Sequence, residues 1–227
     1  MKHSVFIIVV ALILFSCKKD DETANVTLSL KGVNQNLKSA SGINAVDVKI
    51  TDFRLSIRDV EFKKDESGLD TNDIEFRGPY EVDLMNEAGA LSQTLGTIEV
   101  PEGTYKVVRF KLHKDADRAE THVLYDRSLY IEGTIDGIPF EFWHDTSENL
   151  DVENEGGIEV VAGDINISVQ FTIDQFLNSL HTIDLSGAVD GDEDGLIEIN
   201  PDDDDGNGDI ADKLKDNIKE AADLIKL

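Results

Sequence analysis

"LYIEGTIDGIPFEFW", Leu129 to Trp143, decides the fold. Two apolar runs flank Asp136-Gly137, and that dipeptide supplies the backbone a two-residue type I′ turn requires. The stretch therefore predicts a tight antiparallel hairpin. Just upstream, "VPEGTYKVVRFKL" (Val100 to Leu112) turns at Pro101 and Gly103. A strand then runs from Tyr105, with Val108, Phe110 and Leu112 on one face. Downstream, "INISVQFTI" sets Ile165, Ile167, Val169, Phe171 and Ile173 on one face without a break, and "DQFLNSL" after it suits a short helix.

The same period of two extends towards the N-terminus. Val26, Leu28 and Leu30 alternate with Thr27, Ser29 and Lys31. A Gly/Ser/Asn-rich connection, Gly32 to Asn44, leads into "VDVKITDFRLSIRDVEF", Val46 to Phe62. There Val48 and Ile50 are even, Phe53, Leu55 and Ile57 are odd, and Val60 and Phe62 are even again. Two phase changes predict two bulges, or one bent strand serving two layers. A polar loop, Lys63 to Asp73, precedes the strand "YEVDL", Tyr80 to Leu84. Seven to nine such strands, each with one apolar face and no regular alternation with long helices, point to a mainly β protein. The expected architecture is an antiparallel β-sandwich with a C-terminal amphipathic helix.

Composition fits that reading and removes some functions. The chain has 227 residues, 40% of them hydrophobic, which is enough for a packed core. Its formal net charge of −26 argues against nucleic acid, whose phosphates are met by Lys and Arg.

The single cysteine is explained by its place. "MKHSVFIIVVALILFSC" has a basic start at Lys2, an apolar run from Val5 to Phe15, and small Ser16 before Cys17. The run is too short to span a bilayer and has the layout of a signal peptide. Leu14-Phe15-Ser16-Cys17 resembles a bacterial lipobox, which implies cleavage before Cys17 and a lipid anchor on its thiol. "KKDDE", Lys18 to Glu22, resembles the signal that sends Bacteroidota lipoproteins to the outer face of the outer membrane. The implied address is a lipid-anchored, cell-surface one, with the membrane as partner. Without a second cysteine the body has no internal disulfide.

"VTLSLKG", "VDVKITDFRLSIRDVEF", "VPEGTYKVVRFKL" and "YIEGTIDGIPFEF" together resemble Bacteroidota surface lipoproteins with a transthyretin-like β-sandwich domain of unknown function. The resemblance covers most of Asn25 to Ile183. It rests on strand patterns, so it implies fold and location and no chemistry.

One segment has chemistry of its own. "VDGDEDGLIEINPDDDDGNGDI", Val189 to Ile210, holds ten carboxylates and no Lys or Arg. An EF-hand-type calcium loop places oxygen ligands at positions 1, 3 and 5, a Gly at 6, a carbonyl at 7 and an apolar residue at 8. Asp190, Asp192, Asp194, Gly195, Leu196 and Ile197 follow that layout, with Glu198 at position 9. Asp203, Asp205, Asn207, Gly208, Asp209 and Ile210 follow it again, with Leu196 and Asp209 offering carbonyls. The departure is at position 12, where Pro201 and Leu214 replace the expected Glu. Each loop is therefore incomplete, and the two either bind separately or share ligands. Calcium is the expected ion, held structurally and weakly, with Kd roughly 10⁻⁴ to 10⁻³ M. After it, Leu214, Ile218, Ala221 and Ile225 fall on one face of a helix of about 17 residues, capped by Asp209 and Asp212. That helix packs on the sandwich or lies on a membrane surface.

A search for catalytic sets finds none. His113, His122, His144 and His181 lack metal-protease spacing, and no carboxylate pair stands out from so many. Trp143, Tyr125 and Tyr130 are candidates for an exposed aromatic patch that would receive a glycan or protein ligand. The expected organisation is a signal peptide at 1–16, a lipidated tether at 17–24, a β-sandwich at 25–188, and an acidic calcium-loop segment with its helix at 189–227. The expected function is a non-catalytic, surface-anchored binding or accessory module. A fimbrial or adhesive subunit is the alternative, and a secreted hydrolase ranks below both.

Overall fold

The computed structural model describes residues 22–33, 46–64, 74–173, 183–218 and 221–226. The lipobox with Cys17, the tether as far as Asp21 and all of "DQFLNSL" lie outside the described residues. The strands are β1 (Thr23–Val33), β2 (Val48–Lys63), β3 (Ile74–Asn86), β4 (Gly89–Ala90), β5 (Ser92–Pro101) and β6 (Gly103–Leu112). They continue as β7 (Leu129–Ile135), β8 (Ile138–His144), β9 (Asn149–Val160), β10 (Gly163–Thr172), β11 (Ile197–Ile199) and β12 (Ala222–Lys226), with helix α1 (Gly208–Asn217).

The hairpin forms at the expected turn. Asp136 and Gly137 both have positive φ, 50° and 83°, as type I′ requires. Asp136 also accepts the Asp47 N–H on its side chain and donates its own N–H to the Asp47 carbonyl, both at 2.8 Å, which ties the turn to the start of β2.

The bends of β2 are bulges. Its ladder to β7 shifts register between Ile50 and Asp52, and its ladders to β3 and β6 shift between Ile57 and Asp59. Each shift returns the next apolar residue to the inside, so Ile50, Phe53, Leu55, Ile57, Val60 and Phe62 are all buried. The bend also splits one edge of β2. Residues 48–55 pair with β7, and residues 57–63 pair with β6.

Two sheets result. One runs β12-β10-β1-β5, and the other runs β11-β8-β7-β2-β3-β4, with β6 and then β9 joined to β2 beside β7. A single core takes Val26, Leu28 and Leu30 of β1 and Ile167, Val169 and Phe171 of β10 from the first sheet. Phe53, Phe62, Phe110, Phe140 and Phe142 come from the second.

The structure corrects the expectation in three places. The sandwich is not wholly antiparallel, because β1 pairs β10 in parallel and β11 pairs β8 in parallel. The C-terminal helix ends at Asn217, and Ala222–Lys226 leaves it to become an antiparallel strand on β10. Helical pairing would satisfy only that segment's own backbone, whereas the strand also covers the unpaired edge of β10. Ile225, read as the fourth residue of the helix face, therefore belongs to a sheet. Leu214, Ile218 and Ala221 are buried as expected. Thirdly, the acidic segment is woven into the sandwich, since β11 extends one sheet and β12 the other.

Candidate metal centre

The acidic segment begins where the chain leaves Val189. Asp190, Asp192 and Asp194 each turn a carboxylate oxygen to one region, and these atoms lie within 4.8 Å of one another. The backbone is bent to allow it, with Glu193 at φ 63° and Gly195 at φ 95°. The carboxylates hold that bend. Asp190 accepts the Asp194 N–H at 3.1 Å and the Gly195 N–H at 2.9 Å. Asp192 also accepts from Asp194, at 3.1 Å, and Asp194 accepts from Leu196 at 2.9 Å. Like charges so close repel, and partial positive charge on the three N–H groups offsets only part of that.

The second acidic set folds differently. Asp205 is only 5% exposed, and its Oδ1 accepts from Gly191 at 2.8 Å and Asp192 at 3.2 Å. Its Oδ2 accepts from Glu198 at 2.7 Å. Asn207, 2% exposed, donates Nδ2 to the Val189 and Glu198 carbonyls at 2.8 Å each and accepts the Val189 N–H at 3.1 Å. These two side chains brace the first loop from behind. Gly191 lies so close that a Cβ there would stand 2.6 Å from the Asp205 carbonyl oxygen. Asp203, at φ 62°, accepts the Gly208 N–H at 2.6 Å, which caps the start of α1. Asp209 lies in the first helical turn, exposed, where its charge meets the positive end of the dipole.

Among the described residues, therefore, the first set converges and the second does not. Ile197 and Ile199 of β11 are buried opposite Phe140 and Phe142, which fixes one end of the loop in the core. Glu198 alternates outward and pairs with Glu141 across the ladder. Burial pushes its carboxyl above the ordinary range, and Asp204, Asp205, Glu141 and Asp194 add to the shift.

The residues fit a hard cation in part. Three carboxylates and the Leu196 carbonyl would make four of the six to eight oxygens calcium takes, leaving the rest to water.

The expected aromatic patch does not form. Tyr130 is 3% exposed, and its hydroxyl stands 3.2 Å from Glu141 and 3.3 Å from Glu132. Burial and those two carboxylates push its pKa far above the usual value. Trp143 is half-buried opposite Tyr130, and the Arg127 guanidinium covers its ring at 4.4 Å. Arg127 is held there by Glu141 at 3.0 Å. Tyr125 is half-buried in the excursion between β6 and β7, bridged to Asp115. Polar partners on β7, β8 and that excursion, unreadable from spacing, are what close the patch.

A family model described as a domain of unknown function (DUF4382) matches residues 23–201, and the chain belongs to that family. The match takes in the sandwich through β11 and the Asp190–Asp194 loop, and stops before Asp203. No curated protein and no solved structure matches the chain.

Proposed function

We propose that this DUF4382 member is a Bacteroidota-type, lipid-anchored cell-surface protein, a non-catalytic binding or accessory module stiffened by calcium near its C-terminus. The convergence of Asp190, Asp192 and Asp194 carries the calcium part of this reading. An ion there would replace carboxylate repulsion with shared attraction, in an EF-hand-like loop rather than a full EF-hand. The loop leads to β11 and then, through α1, to β12, so a bound cation would steady segments of both sheets. The anchor rests on Cys17 and the apolar run before it. Glycan or protein remains the ligand class in view, with no nucleic acid.

Thermal unfolding of the processed chain without its lipidated Cys17, Lys18 to Leu227, tests the calcium role. A ligand bound only by the folded state raises its midpoint with concentration. The midpoint is expected to climb from chelator through millimolar calcium, and to stay level in Asp192→Ala. A wild type that ignores both calcium and magnesium would make the segment a solvated, metal-free clasp.

One feature favours a second reading, that of a fimbrial or adhesive subunit. β12 is a five-residue strand at the sheet edge, and such a strand can be replaced by one from another chain. Filaments of the purified protein in electron micrographs would support it, and a monomer at all concentrations would count against it.

A further inference from the structure

His144 ends β8 with its ring inside the protein. It is 8% exposed, and among the described residues neither ring nitrogen has a hydrogen-bond partner. Buried polar groups are nearly always satisfied, so this one calls for an explanation. Two carboxylates flank the ring. Nδ1 stands 3.6 Å from Asp145 Oδ1, and Nε2 stands 3.6 Å from Asp212 Oδ1 on α1. That is too long for a hydrogen bond. It is close to the spacing of two ligands on one ion. A metal bound tetrahedrally to an imidazole nitrogen and a carboxylate oxygen holds those atoms about 3.4 Å apart.

The two sides of the ring differ. Asp145 has its charge met by Lys114, which donates to its other oxygen, Oδ2, at 3.0 Å. Asp212 is largely exposed, and His144 is its described ionic partner. We propose that His144 Nε2 and Asp212 Oδ1 hold a zinc-class divalent cation, with water in the remaining positions. Imidazole with carboxylate suits zinc and its neighbours, whereas calcium prefers oxygen alone. Exposure of Asp212 gives the ion access to solvent. The ion would pin α1 to β8, and through α1 it would fix where β12 starts. The site uses none of the Asp190–Asp194 carboxylates, so it stands apart from the calcium reading.

The test is calorimetric titration of zinc chloride into the processed chain, in excess calcium so that the acidic loop is occupied or screened. Three variants run alongside: His144→Gln, Asp212→Asn, and the triple Asp190→Asn, Asp192→Asn, Asp194→Asn. One zinc per chain is expected for the wild type and for the triple variant. Binding should vanish in His144→Gln. It should weaken by more than about tenfold in Asp212→Asn, since even an outer partner's loss costs roughly 10- to 100-fold. Asp212 is exposed, so that variant keeps its fold and decides the matter if His144→Gln does not. Absence of saturable zinc binding overturns the proposal. So does binding that survives Asp212→Asn unchanged, or that disappears with the triple variant.

Discussion

Replacing Asp205 with Ala should cost far more than replacing any exposed carboxylate of the same segment, and the cost should not depend on calcium. Asp205 accepts three backbone N–H bonds, from Gly191, Asp192 and Glu198. The side chain is almost fully buried, so water cannot take over all three. A hydrogen bond to a charged group contributes about 1.5–3 kcal/mol, and leaving a buried donor unsatisfied costs about 1–3 kcal/mol. Relief of repulsion from Glu198 and Asp204 offsets part of the loss. The net expectation is about 3–5 kcal/mol for Asp205→Ala. Asp205→Asn keeps the shape but turns one acceptor into a donor facing an N–H, so about 1–2 kcal/mol is expected. Urea unfolding of the processed chain in chelator is the assay. With a slope of about 2–3 kcal/mol per molar urea, Asp205→Ala should move the midpoint down by roughly 1–2 M. Asp192→Ala separates the two roles. In chelator it should be neutral or slightly stabilising, because it removes one of three crowded charges. Only in calcium should it lag behind the wild type. If Asp205→Ala unfolds within about 0.5 kcal/mol of the wild type in chelator, the range of ordinary surface changes, the bracing role is wrong.

Gly191→Ala should destabilise by about 2 kcal/mol or more, because its Cβ would press on the Asp205 backbone at 2.6 Å. Gly187→Ala, whose Cβ would meet nothing within 4 Å among the described residues, is the control in the same urea series. Acid should weaken the sandwich partly through Glu61. Burial pulls its carboxyl up, but hydrogen bonds from Lys111 and Lys63 outweigh burial and hold it below the usual range. A lowered folded-state pKa gives stability that is present above the unfolded value and lost as pH falls through the folded one. Urea midpoints between pH 7 and pH 3 should therefore fall less steeply for Glu61→Gln than for the wild type, and parallel slopes would contradict this. Arg127 over Trp143 should show a coupling of about 0.5–1 kcal/mol in a double-mutant cycle with Arg127→Ala and Trp143→Ala. A coupling of zero would reopen the Trp143 face as a surface free for ligands.

What could be read in advance was whatever short-range chemistry decides. Asp136-Gly137 names its own turn, because only certain residues tolerate positive φ twice in succession. The bends of β2 were legible because large apolar side chains stand on both sides of each phase change, and each must return to the core. β9 was missed because its buried residues, Leu150, Val152, Ile158 and Val160, are spread among acids and a Gly-Gly pair. Its register against β6 shifts between Tyr105 and Val107, and only the partner strand reveals that. β12 was hidden for the opposite reason. Leu214, Ile218, Ala221 and Ile225 keep a helical spacing to the end, so the pattern is ambiguous until the open edge of β10 competes for the backbone.

The two acidic sets carry that argument furthest. They share residue types and spacing, so period and composition give both the same role. Their difference lies in partners some 7 to 18 residues away along the chain. Asp205 and Asn207 could not face an ion and also carry the Val189, Gly191, Asp192 and Glu198 backbone with every polar atom of their side chains. Burial drives the choice. A carboxylate excluded from water is held in place by nearby N–H donors, whereas Asp192 and Asp194, left at the surface, keep free oxygens. The stretch thus divides a repeated motif between support and site. The support is required whether or not an ion arrives, and the site has work only when one does. Chelator and calcium, applied to Asp205→Ala and Asp192→Ala, read those two roles separately.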